Sequence, residues 1–120
     1  MPTFDAWEII KVPFPYTDRP VRERRPALVI GASAIQDQHG LLWVMMITSL
    51  ENRGWPGDVS ISDLRSAGLP AASVVRTAKI ATIEAKEAER IGALPPDEQD
   101  AVRGYILAML SEVLKAPGRG

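Results

Sequence analysis

No cysteine occurs in the 120 residues, so neither a disulfide framework nor a thiolate metal site can form. A single histidine, His39, cannot supply an acid/base pair and reads as a solvated turn residue. Neither sign of charge dominates: the net charge is −1, so the whole molecule does not advertise a polyanion partner. Any attraction to nucleic acid must therefore be local. No apolar segment approaches the length of a membrane span, and no N-terminal run joins a basic head to an apolar stretch. A cytoplasmic protein with no membrane partner is the expectation. HExxH, EF-hand, GxxxxGK[ST] and GxGxxG patterns are all missing, so neither metal nor cofactor is expected. Ser33 and Ser73 lack a plausible histidine base, which argues against a serine-hydrolase triad.

What is present is ordinary globular composition, 46% apolar and 24% charged, in a length that suits one domain over residues 1–120. Residues 7–14 read as a strand, closed by the prolines at 13 and 15. Residues 26–33 read as a second strand, 36–40 as a turn, and the apolar run 41–47 as a third strand buried on both faces. A loop spans 51–57 and a short strand 58–61. Ser62 can cap a helical turn through Ala67 that Gly68 ends. Residues 73–76 and 79–83 read as strands, 84–89 as a single helical turn, and 90–94 as a last short strand. The firm helix is C-terminal. Pro95 and Pro96 suit its entrance, Asp97 and Glu98 its positive end, and Pro117-Gly118 its stop. Val102, Ile106, Met109, Leu110, Val113 and Leu114 recur with helical period as one stripe to pack on the sheet. The fold class is α+β, mainly β: a small, strongly twisted barrel with one packing helix.

The most telling stretch is Arg24-Arg25-Pro26-Ala27-Leu28-Val29-Ile30. Pro26 cannot donate a ladder hydrogen bond and belongs at the first position of its strand. Arg25 then stands at the strand's mouth, where a rigid backbone can aim a guanidinium at a phosphate. The preceding loop, Arg19 to Arg25, holds four arginines against one glutamate. A plain solvated arginine loop is the alternative. If the hairpin from 26–33 to 41–47 turns about Asp37, Arg25 faces Ser49, and a slip of one residue brings Thr48 opposite instead. Hydroxyls at strand ends also satisfy local backbone groups, so this proximity has an ordinary reading too.

A kit of arginine and hydroxyls suits a substrate that carries its own nucleophile. RNA does so: its 2′-hydroxyl attacks the adjacent phosphate, leaving a cyclic phosphate and a free 5′-hydroxyl. The protein then needs mainly to orient the backbone and stabilise developing charge.

Several motifs, in order, resemble the MazF/PemK (Kid) family of bacterial toxin ribonucleases. They are Val12-Pro13-Phe14-Pro15-Tyr16-Thr17-Asp18, Arg24-Arg25-Pro26-Ala27-Leu28-Val29-Ile30 and Met46-Ile47-Thr48-Ser49. Gly57-Asp58-Val59, Gly68-Leu69-Pro70, Ser73-Val74-Val75-Arg76 and Arg90-Ile91-Gly92-Ala93-Leu94 follow. The resemblance implies an SH3-like barrel, a homodimer, a cognate antitoxin and metal-independent, sequence-selective cleavage of single-stranded RNA such as mRNA. It assigns catalysis to Arg25 with Thr48, Ser49 being adjacent, and makes Arg76 a second arginine for RNA contact or catalysis. Arg19, Arg22 and Arg24 are expected to steer the RNA backbone, and Trp55 to offer a base a stacking face or else to cover the barrel rim. Trp43 is expected in the core or at the dimer interface. Two departures stand out. Trp7-Glu8 replaces the Gly-Asp or Gly-Glu start of many members, and Ala78 replaces an aspartate that some carry. The rival functions are a CcdB-like, non-enzymatic gyrase inhibitor and an inactive SH3-like interaction domain.

Overall fold

Alternation along the strands divides their side chains between two apolar clusters, one on each face of a single sheet. Ile10, Val12, Ala27, Val29, Leu42, Val44 and Met46 fill one cluster; Ile9, Leu28, Met45, Ile47 and Val75 fill the other. The computed structural model describes residues 3–13 and 23–115. Six antiparallel strands run in the order β4-β5-β3-β2-β1-β6: β1 Glu8–Pro13, β2 Arg24–Gly31, β3 Leu41–Ser49, β4 Asp58–Ser60, β5 Ser73–Glu84 and β6 Glu89–Ala93. Among the described residues three α-helices accompany them, α1 Ser33–His39, α2 Leu64–Ala67 and α3 Pro96–Leu114. This is the expected mainly β, α+β fold with its C-terminal helix.

Between β6 and the α2 corner the backbones meet at two glycines. A Cβ on Gly68 would collide with the Ile91 carbonyl, and one on Gly92 with the Ala67 backbone. Gly68 also has φ +73, so it both ends α2 and permits the contact that tucks α2 against β6. The cap of α2 is Asp63, whose side chain accepts from Ser66 N, and not Ser62, whose hydroxyl donates to Glu98.

Other boundaries also differ from expectation. The segment read as strand end and turn is helix α1. It starts at Ser33 with φ 41, lacks a side-chain cap, and closes on Gly40 at φ 67. Gln36 justifies the helix, because its amide exchanges two 3.0 Å hydrogen bonds with the backbone of Phe4. The two strands expected at 73–76 and 79–83 are one strand, β5. Its register against β3 jumps from Met46↔Arg76 to Met45↔Ile80, so residues 77–79 bulge without breaking the ladder. The helical turn expected at 84–89 is a 3-10 turn, Ala85–Glu87.

Trp7 takes φ +76, the left-handed region in which glycine is easiest. Its N–H donates to Val29 O and its carbonyl accepts from Leu94 N, which pins the residue between β2 and the end of β6.

In α3 the expected stripe docks only at its start. Val102 is fully buried and Ile106 packs partly, whereas Met109, Leu110, Val113 and Leu114 are exposed, Val113 to 79%. With Ile30, Trp43 and Ile80 the helix forms an apolar groove of about 400 Å³. Trp43 itself is 51% exposed, so β3 is covered on both faces only toward its other end.

Candidate active site

Arg25 enters the site through its strand register. β2 pairs with β1 as Val12↔Arg25 and Lys11↔Pro26, and with β3 as Ala27↔Met46. The pairing centred on Asp37 survives at Gly31↔Trp43, but a bulge between Val29 and Gly31 shifts the rest by one residue. Continued past Ala27↔Met46, that register carries Arg25 to Thr48 rather than Ser49. All three residues line one cavity of about 230 Å³, together with Lys11, Pro26, Ser73, the Leu69–Pro70 loop and Ile91. Ligand cavities usually run from about 300 to 1,000 Å³, so this one suits one group of a longer substrate.

The polar members are held differently. Arg25 pairs with Glu23 at 3.5 Å, and its side chain remains 29% exposed, within reach of a bound anion. Thr48 is buried, and its Oγ1 accepts a hydrogen bond from Asn52 Nδ2 at 3.1 Å. Ser49 Oγ accepts from Glu51 N at 3.2 Å, capping the 3-10 turn Leu50–Asn52, so its oxygen serves the backbone as well as lining the cavity.

Arg24 and Arg25 are neighbours in sequence and diverge in space, as adjacent strand residues must. The Arg24 guanidinium donates to Lys11 O and to Glu89, and lines an open hollow with Pro13, Lys86 and Glu87 instead. Arg19 and Arg22 lie outside the described residues.

Arg76 is buried outside that cavity, with a fixed set of partners. Its Nε donates to Asp58 Oδ1 at 3.1 Å and its Nη2 to Asp58 Oδ2 at 2.9 Å and to Asn52 O at 2.6 Å. The same carboxylate accepts from Gly54 N and Trp55 N, tying down the loop between β3 and β4. Trp55 covers the guanidinium, 4.2 Å from its ring centroid, while the side chain remains 47% exposed. The Arg76 hydrogen bond is the main cause holding the Asp58 carboxyl below its ordinary range, and it prevails over burial. Reciprocally, the Asp58 hydrogen bond raises the Arg76 pKa.

Two cavity or clamp residues escape any motif. Lys11 adds a second cation to the Arg25 cavity, and the only hint in the sequence is a lysine set among the apolar residues Ile9, Ile10 and Val12. Asn52 joins Thr48 to the Arg76 clamp through a side chain that composition alone assigns to a loop. Among the described residues no three His, Cys, Asp or Glu side chains gather as a metal site, and no helix is long and apolar enough to cross a membrane.

Solved structures share this fold. A MazF from Deinococcus radiodurans in a MazE–MazF crystal structure is 25% identical, with a TM-score of 0.71 over 92% of this chain and 97% of that one. A second Deinococcus radiodurans MazF structure gives 24% identity and a TM-score of 0.74 over 92% and 99%. A mycobacterial endoribonuclease in complex with its cognate antitoxin gives 15% and 0.70 over 98% and 100%. No curated protein sequence matches this chain significantly. Residues 5–110 match the model of the PemK-like, MazF-like toxins of type II toxin–antitoxin systems, and the chain belongs to that family.

Proposed function

We propose that this toxin is an endoribonuclease that cuts single-stranded RNA, mRNA included, at selected sequences and without a metal ion, in the cytoplasm. The carrying observation is the cavity shared by Arg25 and Thr48 at the open end of the β2–β3 pair. Arg25 stabilises charge developing on the phosphate, and the Thr48 hydroxyl, with Ser49 beside it, positions the scissile group. The attacking 2′-oxygen forms its bond to phosphorus as the bond to the 5′-oxygen breaks. The 2′ proton is released and a proton is delivered to the departing 5′-oxygen. Lys11 adds phosphate attraction, and Trp55 offers its exposed face to an unpaired base.

Arg76 has a different part in this reading. Its guanidinium is spent on Asp58, the Asn52 carbonyl and the inner face of Trp55, so it shapes the loop rather than gripping RNA. The family and the antitoxin-bound relatives support a cognate antitoxin as inhibitor and a homodimer as the working form. A second copy would cover Trp43, Ile80, Met109 and Leu110, an apolar patch of the kind that marks partner surfaces.

The test is direct. Purified protein, single-stranded RNA and a chelator should yield discrete fragments ending in 5′-hydroxyl and cyclic phosphate. Intact RNA under those conditions, with inhibition of gyrase instead, would replace this reading by the non-enzymatic one.

A further inference from the structure

Asn52 occupies the last position of the 3-10 turn that follows β3, and it reaches two ways. Its side-chain Nδ2 donates to Thr48 Oγ1 at 3.1 Å, and its backbone carbonyl accepts from Arg76 Nη2 at 2.6 Å. Arg76 cannot swing away, because the Asp58 carboxylate holds it at two points and Trp55 lies over it. We propose that Asn52, anchored by Arg76, is a positioning residue that turns the Thr48 hydroxyl proton into the Arg25 cavity. The proposal rests on the ribonuclease reading and adds to it the direction of one hydrogen bond.

A threonine hydroxyl offers one donor and two acceptor positions. When an amide N–H occupies an acceptor position, the O–H must point elsewhere. On the cavity side stand Arg25 and Lys11, cations that cannot take a proton. Ser49 and Ser73 also line the cavity, but among the described residues neither accepts a hydrogen bond from Thr48, which leaves the proton to an oxygen of a bound phosphate. Thr48 is thereby set as a donor toward the reacting phosphate, and the geometry exists before substrate arrives. A carboxylate at position 52 would reverse the arrangement by accepting the Thr48 proton and turning it away from the cavity.

A double-mutant cycle tests this. Asn52→Ala should lower kcat about tenfold, the worth of one hydrogen bond, with KM changed much less. Asn52→Asp should lower it further. In a Thr48→Val background, Asn52→Ala should cost nothing more, because the hydroxyl it orients is gone. Equal losses in both backgrounds, or a loss confined to KM, would overturn the proposal. Asn52 is exposed, so the variants should keep the parent's melting temperature. Should the parent fail to cut RNA at all, the ribonuclease reading falls by itself. The same cycle is then read as affinity for a 2′-deoxy-substituted strand, where coupling between positions 48 and 52 sustains the hydrogen-bond assignment and strict additivity removes it.

Discussion

Two hollows on this small sheet differ in the ways that matter for chemistry. The larger, about 400 Å³, is walled by Ile30, Trp43, Ile80, Met109 and Leu110 and contains no ionisable side chain. The smaller, about 230 Å³, gathers Arg25, Lys11, Thr48 and Ser49 where β1, β2 and β3 come together. Between these two, size favours the first and reactivity the second. An apolar trough that spans a helix and a strand suits a protein surface, whereas a tight cationic niche suits one phosphate of a longer chain. The two hollows lie toward opposite ends of the same strands, so the proposed assembly surface and the proposed reaction site would be kept apart.

That separation can be broken. Arg25→Ala should reduce RNA cleavage by about 10²–10³-fold, the cost of removing one preorganised charge-stabilising donor. Its state of assembly, measured by sedimentation, should not move. Trp43→Glu should do the reverse to assembly, placing a charge in the apolar trough and driving the protein toward monomer while the niche stays formed. If Arg25→Ala dissociated the protein, the two hollows would not be independent.

Asp58→Ala probes the clamp beside the niche. Leaving Arg76 buried without its carboxylate should destabilise the fold by about 3 kcal/mol in urea titrations. The sign with pH follows from the depressed carboxyl: its contribution is complete above the unfolded value near 3.8 and is lost as pH falls through the lower folded value. The parent should therefore lose stability in that acid window, and the variant should lose less there. Lys11→Ala is the mildest change. It should weaken RNA binding severalfold and flatten the dependence of log affinity on log salt by about 0.7, one phosphate contact on a single strand.

Much of this architecture was legible in the residues, for identifiable reasons. Pro26 marked the neighbourhood of β2 but not its start, since Arg24 and Arg25 already pair with Pro13 and Val12. The strand runs Arg24–Gly31, and with the apolar run of β3 this still brought Arg25 within one residue of Thr48 in the register. The remaining step depended on a bulge near Ile30, a local irregularity that no periodicity announces. Helix α1 escaped because it begins without a capping side chain and is held by Gln36 reaching back to Phe4. The stripe on α3 was visible, but its outer half stays exposed among the described residues, so helical period alone overstated how much of it would be buried. Arg76 was tied to RNA by the family resemblance alone, and only the position of Asp58, eighteen residues earlier, reveals the clamp. Asn52 had no cue at all, since a loop asparagine is unremarkable until its two partners are known.

The three tryptophans occupy three dissimilar settings: Trp7 in the seam between β2 and β6, Trp43 in the apolar trough, Trp55 above a guanidinium. Each indole therefore emits from surroundings of its own polarity. Replacing any two by phenylalanine leaves a single indole, which can be excited apart from the two tyrosines. One chain can in this way report folding, subunit contact and ligand arrival through separate optical channels, with no dye attached.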